Sequence, residues 1–153
     1  MPKSDDGIRG LVHRSCLALD GEDFAAYLAL CALEMRYRIT NYSPEIRKDV
    51  ILMNLDRAGL AALFESLPDH LKLPGSLMRH ASVYLIERKR NRTVAEVTTS
   101  LVVIQTDAEG LSRVYAAGHY HDTVDLTRPT PMLTSRTLHL QTRDIGIGTE
   151  VPL

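Results

Sequence analysis

Tryptophan is absent from this chain of 153 residues and phenylalanine occurs only twice, so a core must be built from Leu, Val, Ile, Met and the six tyrosines. Cysteine is scarce too. Cys16 and Cys31 have neither CxxC spacing nor a secretory context, which argues against a disulfide framework and for buried free thiols in a reducing compartment. Nothing in the sequence sets either thiol beside a histidine or a helix-start cation, so nucleophilic use has no support. No apolar run approaches the roughly 20 residues of a membrane span, and the opening Met1-Pro2-Lys3-Ser4-Asp5-Asp6 lacks a signal-peptide pattern. A cytoplasmic protein without a membrane partner is expected. An excess of charge is lacking as well. Lys and Arg number 18 against 19 Asp and Glu, a net charge of −1, which offers no electrostatic reason for a nucleic-acid partner. What is present is ordinary: 44% hydrophobic and 24% charged residues exclude disorder, and the length predicts one domain over residues 1–153.

Ser4 or Asp5 can cap a first helix, whose apolar stripe is Ile8, Leu11, Val12, Cys16 and Leu19. Asp20-Gly21 breaks it. Glu22-Asp23 begins a second helix running through Phe24, Tyr27, Leu28 and Cys31. From Met35 the period shortens to two, predicting a strand through Tyr37, Ile39 and Asn41 that ends at Ser43-Pro44. The apolar piece Val50-Ile51-Leu52-Met53 precedes Asn54, a candidate cap for a third helix that carries Leu55, Leu60, Leu63, Phe64 and Leu67. A loop follows from His70 to Gly75. The rest reads as four long strands: Arg79 to Arg90, Val94 to Gln105, Leu111 to Thr127 and Thr134 to Ile145. The second of them is apolar on both faces and so predicted to be central. Asp107-Ala108-Glu109-Gly110 predicts a hairpin turn. Helices first and antiparallel strands after them indicate an α+β domain, with three helices in the concavity of a strongly curved sheet. Such a cone either holds a pocket or fills it with side chains.

The residues that could carry chemistry are few. His119 and His121 share one strand face, near enough to share a metal, but Asp122 points to the other face, so a two-histidine, one-carboxylate iron site lacks its third ligand. Arg79-His80 could bind a carboxylate, with an ion pair and a hydrogen-bonded histidine as the plainer reading. Tyr84, Tyr115 and Tyr120 are first of all core aromatics. The basic run Arg88 to Arg92 has no aromatic platform beside it and reads as a solvated turn. Gly146 and Gly148 precede no helix and make no phosphate loop.

Element order and several short motifs resemble one family. Helix, helix, strand, helix and four strands is the order of the NTF2-like (cystatin-like) cone. Gly118-His119-Tyr120-His121-Asp122 resembles the Gly-x-Tyr-x-Asp strand of the small (β) subunits of Rieske-type aromatic-ring-hydroxylating dioxygenases. The tail Ser135 to Arg143, then Ile145 to Gly148 and the final Pro152-Leu153, resembles their closing strand. Arg79-His80 and Met35 to Ile39 sit where that family has an Arg-His pair and its first strand. Two positions depart: Gln141 replaces the aspartate of an Asp-Thr-Arg motif, and an asparagine after Arg-His is missing from Ala81 to Tyr84.

The resemblance implies a non-catalytic assembly subunit without catalytic, cofactor-binding or metal residues of its own. Its large α partner would carry the Rieske [2Fe-2S] cluster and a mononuclear Fe(II), three α with three β, the β subunits forming a trimer. A reductase or ferredoxin would supply electrons for hydroxylating an aromatic acid or related compound. Arg79, His80, Tyr120, Asp122, Arg136 and Arg143 are then the expected subunit-interface residues. The competing expectation is a free-standing isomerase or dehydratase of a hydrophobic molecule, with His80 or His119 as base and Tyr84 or Tyr120 as donor.

Overall fold

Why three short helices and a sheet should form one body follows from where the apolar side chains point. In the computed structural model, which describes residues 4–67, 75–143 and 152–153, α1 (Asp6–Asp20) buries Ile8, Leu11, Val12, Cys16 and Leu19, the stripe read from the sequence. Ser4 takes the Asp6 N–H on its hydroxyl at 3.1 Å, while the Asp5 carboxylate pairs instead with Arg88 at 3.0 Å. The next helix, α2 (Phe24–Ala29), is capped by Asp23, which accepts the Ala26 N–H. It is shorter than expected: Cys31 already belongs to β1 (Cys31–Ser43).

The larger correction lies between Pro44 and the third helix. Val50 to Met53 is the middle of a strand, β2 (Lys48–Asp56), antiparallel to β1. Its apolar run lacks the alternation that marks a half-buried strand, because both faces of this edge strand are largely exposed. The cap of α3 (Arg57–Ser66) is consequently Asp56, accepting the Gly59 N–H at 2.7 Å, and not Asn54. Four long strands follow: β3 (Ser76–Arg88), β4 (Val94–Thr106), β5 (Ser112–Asp125) and β6 (Met132–Leu140). Pro152 and Leu153 return to the core. The His70 to Gly75 loop, apart from Gly75, and the expected strand end and tail from Asp144 to Val151 lie outside the described residues.

The six strands lie in the order β2-β1-β6-β5-β4-β3, with every neighbouring pair antiparallel except β1 and β6. The expected central strand, β4, is therefore inside the sheet but next to its β3 edge. Its outward residues are half-buried rather than buried, so their apolar character reflects neighbours on an open face and not a second layer. Irregular register at Ile39/Thr40, Val83/Leu85, Val103/Ile104 and Thr123/Val124 bends the strands, which suits a sheet wrapped on helices. α1 packs on β3, α3 on β1 and β2, and α2 joins them. No helix among the described residues is long and apolar enough to cross a membrane.

The Asp107 to Gly110 hairpin forms as expected, with Gly110 at a φ of +83° and the Asp107 carboxylate accepting two turn N–H groups. Gly118 has a different reason to be glycine. A Cβ there would fall onto the carbonyl oxygen of His139 on the adjoining strand. Gly118→Ala should force β5 and β6 apart and cost about 1–3 kcal/mol, as overpacking does. Urea denaturation checks this, and an unchanged midpoint would contradict it.

Candidate functional site

Strand parity sorts the candidate residues before any contact is considered. On β5, Tyr120, Asp122 and Val124 face inward and are fully buried, while His119, His121 and Thr123 face out. Asp122 lies directly across the ladder from Arg136 of β6. At that position opposed side chains start about 5 Å apart, and the two meet as a two-pronged ion pair. Arg136 donates from Nε and Nη2 to the two Asp122 oxygens at 2.8 and 2.9 Å. Its Nη1 donates to Ser15 of α1 at 2.9 Å, and the Ser15 hydroxyl donates in turn to the Val12 carbonyl. The guanidinium carbon sits 3.9 Å from the centre of the Tyr120 ring. Burial opposes the charge on Arg136, but Asp122 outweighs it, with Tyr27 and Tyr120 adding to the effect, and the group is held protonated well above its ordinary value.

A second polar centre lies beside the first. Arg79, on β3, donates from Nη1 to Asp20 at the end of α1 at 2.8 Å and from Nη2 to the Pro152 carbonyl at 2.9 Å. Tyr37 of β1 exchanges two hydrogen bonds with the main chain of Leu153. Burial raises the tyrosine hydroxyls of this interior, Tyr37 to about 12, with Tyr27 and Tyr120 raised in the same direction. It also raises both thiols, Cys31 to about 11, so neither cysteine is a thiolate ready to attack. Among the described residues, the interior holds the Arg136–Asp122 and Arg79–Asp20 ion pairs, Tyr27, Tyr37 and Tyr120, and Leu153.

The outer sheet face carries four histidines, His80, His119, His121 and His139, while His13 lies on the exposed side of α1. None of the five described histidines is buried. His121 meets Glu96 at 2.9 Å, His139 shares a hydrogen bond with Thr40 at 2.8 Å, and the His119 ring is edge-on to Tyr84, centroids 6.4 Å apart. His119 and Tyr120, as strand neighbours, project to opposite faces and cannot serve one substrate. His80 and Tyr84 share the outer face but stand roughly 13 Å apart along the strand, and Tyr84 is 66% exposed. General-base chemistry with a polarising donor needs a water-excluding site, which an open sheet face does not supply.

A metal fits no better. Both oxygens of Asp122 are taken by Arg136, on the far side of the sheet from His119 and His121. Among the described residues no group of three or more His, Cys, Asp or Glu is placed to hold a metal ion.

The six residues expected at a subunit interface divide in the same way. Arg79, Tyr120, Asp122 and Arg136 are buried within the chain, where they meet one another's neighbours. His80 and Arg143 are exposed, and Arg143 pairs with Glu45 at 3.1 Å. Arg79 and His80 look like one motif in the sequence, yet as consecutive strand residues they point to opposite faces and cannot grip one carboxylate. Sequence reasoning missed Ser15, Asp20 and Tyr37. Ser15 and Asp20 lie along the apolar stripe of α1, and that placement was the one available signal.

Residues 3–130 match the SnoaL-like domain family. The β subunit of the methanesulfonate monooxygenase hydroxylase of Methylosulfonomonas methylovora is 29% identical over 97% of this chain and 86% of its own length. The β subunit of 2-aminobenzenesulfonate 2,3-dioxygenase from an Alcaligenes species is 30% identical over 88% of this chain and 89% of its own. Among solved structures, the β subunit assigned to an aromatic-ring-hydroxylating dioxygenase of Novosphingobium aromaticivorans superposes with a TM-score of 0.78 at 22% identity. The match covers 93% of this chain and 92% of that one, and shows the shared fold. An interior closed by Arg136, Asp122 and Leu153, a histidine-bearing outer face and these similarities agree: the chain belongs to the SnoaL-like family, within the group formed by the β subunits of multicomponent oxygenases.

Proposed function

We propose that this chain is the non-catalytic assembly subunit, a single domain over residues 1–153, of a cytoplasmic Rieske non-haem iron oxygenase that acts on an organosulfonate. The observation that carries the substrate class is that two relatives aligned over most of the chain are β subunits of sulfonate oxygenases, one alkyl and one aryl. The assembly role is supported by those same relatives being β subunits of multicomponent oxygenases, and by the lack, among the described residues, of a group placed to hold a metal. In this reading the Rieske cluster and the mononuclear iron belong to an α partner, in an arrangement of three α and three β, and electrons arrive through a reductase or ferredoxin. His80 and Arg143 reach the subunit contacts directly, while Arg79, Tyr120, Asp122 and Arg136 hold the sheet in the shape those contacts need.

The test is to recover the complex from the native host through a tag on this chain, and to weigh it and assay its iron. The expected result is a larger partner in equal amount, iron that travels with that partner, and NAD(P)H oxidation driven by a sulfonate and not by benzoate once the reductase is added. Recovery of this chain alone, iron-free, would overturn the assembly role. A complex that oxidises benzoate and ignores sulfonates would overturn the substrate class alone.

A further inference from the structure

The outer sheet face separates its charges along one register row, which crosses five of the six strands. Arg36 of β1 lies beside Ser135 of β6, Ser135 beside Thr123 of β5, Thr123 beside Glu96 of β4, and Glu96 beside Glu87 of β3. Arg38 follows Arg36 by two residues, on the same face and also exposed. Two cations therefore sit at the β1 margin of this face and two carboxylates at its β3 margin, four strand spacings or roughly 19 Å away.

Each margin gathers like charges. Side chains opposed across a strand pair start about 5 Å apart, and like charges there destabilise a sheet; Glu87 and Glu96 are such a pair. His121 and Thr123 meet Glu96, but Glu87 is exposed and without an ion pair among the described residues, as are Arg36 and Arg38. The nearest opposite charges are engaged elsewhere. Asp56, across from Arg36, caps α3 at the Gly59 N–H, and Arg88, next to Glu87, pairs with Asp5. Tyr84 and Leu85, 66% and 50% exposed, precede Glu87 on β3 and supply the apolar anchor that a protein contact needs.

A partner must offer paired carboxylates to the arginines and paired cations to the glutamates. A second copy of this chain offers both. The sheet wraps its helices, so the outer face is convex, and two such faces laid together would touch at their middles and keep the charged margins apart. Joining the β1 margin of one copy to the β3 margin of the next uses two different surfaces, a heterologous contact that makes a ring where the rotation closes.

We propose that the Arg36 and Arg38 margin of one copy binds the Glu87 and Glu96 margin of the next, with Tyr84 and Leu85 inside the contact, so that three copies close a ring. This contact rests on the assembly role above and gives the surface by which the three copies meet.

Sedimentation equilibrium of the purified chain is the test. The unaltered chain should sediment as a trimer. Arg36→Glu with Arg38→Glu should weaken association by at least about 100-fold, because it sets like charges against each other across the contact. Glu87→Arg with Glu96→Arg should do the same. All four changes in one chain restore the complementarity with its sign reversed, and should bring the trimer back to within about 10-fold of the unaltered affinity. Circular dichroism checks that each variant is folded; where Glu96→Arg disturbs β4 through His121, Glu87→Arg alone takes its place in both combinations. A monomeric or dimeric unaltered chain would overturn the ring. So would reversed variants that associate as tightly as the unaltered chain, or a combined variant that stays monomeric. The tagged complex still reports on the assembly role in each of these cases, so the two failures are told apart.

Discussion

Asp122→Ala is expected to destabilise the chain by about 3–5 kcal/mol, the range for removing one partner of a buried ion pair. A domain of this size is held together by only about 5–15 kcal/mol, so the variant should stand near the edge of folding. The loss is large because Arg136 stays behind. Its guanidinium is fully buried, and without Asp122 it keeps only the Ser15 hydroxyl and the face of Tyr120. Arg136→Met should cost a comparable amount, since it strands the carboxylate instead. Changing both, Asp122→Leu with Arg136→Met, should recover most of the loss, because an apolar pair of similar volume does not have to be stripped of water. Urea unfolding of the three variants decides the matter. Two single losses below about 1 kcal/mol would show that water reaches the pair.

Above about pH 10 the chain should unfold. Burial raises Cys31 from 9.0 to about 11 and Tyr37 from 10.0 to about 12, with Cys16, Tyr27 and Tyr120 shifted in the same direction. These are acids whose neutral form the folded state prefers. Their contribution is therefore complete below the unfolded values of 9.0 and 10.0, and is lost as pH climbs from there towards the folded values. Each such group removes about 1.4 kcal/mol per pH unit once the unfolded chain has ionised and the folded chain has not. Cys31 starts the decline near pH 9, and three tyrosines join it from pH 10. By pH 11 Cys31 and Tyr37 alone remove about 4 kcal/mol, and Tyr27 and Tyr120 act in the same direction, a large share of the stability of a domain. Tyrosinate absorbance and circular dichroism should consequently change together in one steep step, with the three buried tyrosines ionising only as the fold is lost. Six tyrosines titrating smoothly near pH 10 with the dichroism intact would refute this.

Local patterns explain which parts of the fold were readable. The α1 stripe, the alternation from Met35, the Asp107 to Gly110 turn and the last four strands each carry their signal within a few residues, and each appears near where expected, except that the last strand ends at Leu140 rather than Ile145, the described Gln141 to Arg143 lying outside it. β2 was hidden because an edge strand exposed on both faces has no alternation to display. Its strand state depends on β1 being there to pair with. The end of α2 was misplaced by two residues because Cys31 and Ala32 are apolar and suit either period, and pairing with β6 draws Cys31 into the sheet.

The sequence by itself determined the α+β class, the absence of a disulfide framework, and the parity that puts Asp122 and His121 on opposite faces, since periodicity and composition are local properties. It also carried the family, through the order of its motifs. What only the tertiary structure decided is the use of the charged residues. Arg79, Asp122 and Arg136 read as surface residues because isolated charges are seldom buried. They are buried here because each finds its partner across a strand pair or from a helix, Asp20, Arg136 and Ser15 among them. Partners 14, 59 and 121 residues apart leave no trace in local pattern. Burial of charge depends on the fully assembled interior, and that exists only once sheet and helices have closed on each other.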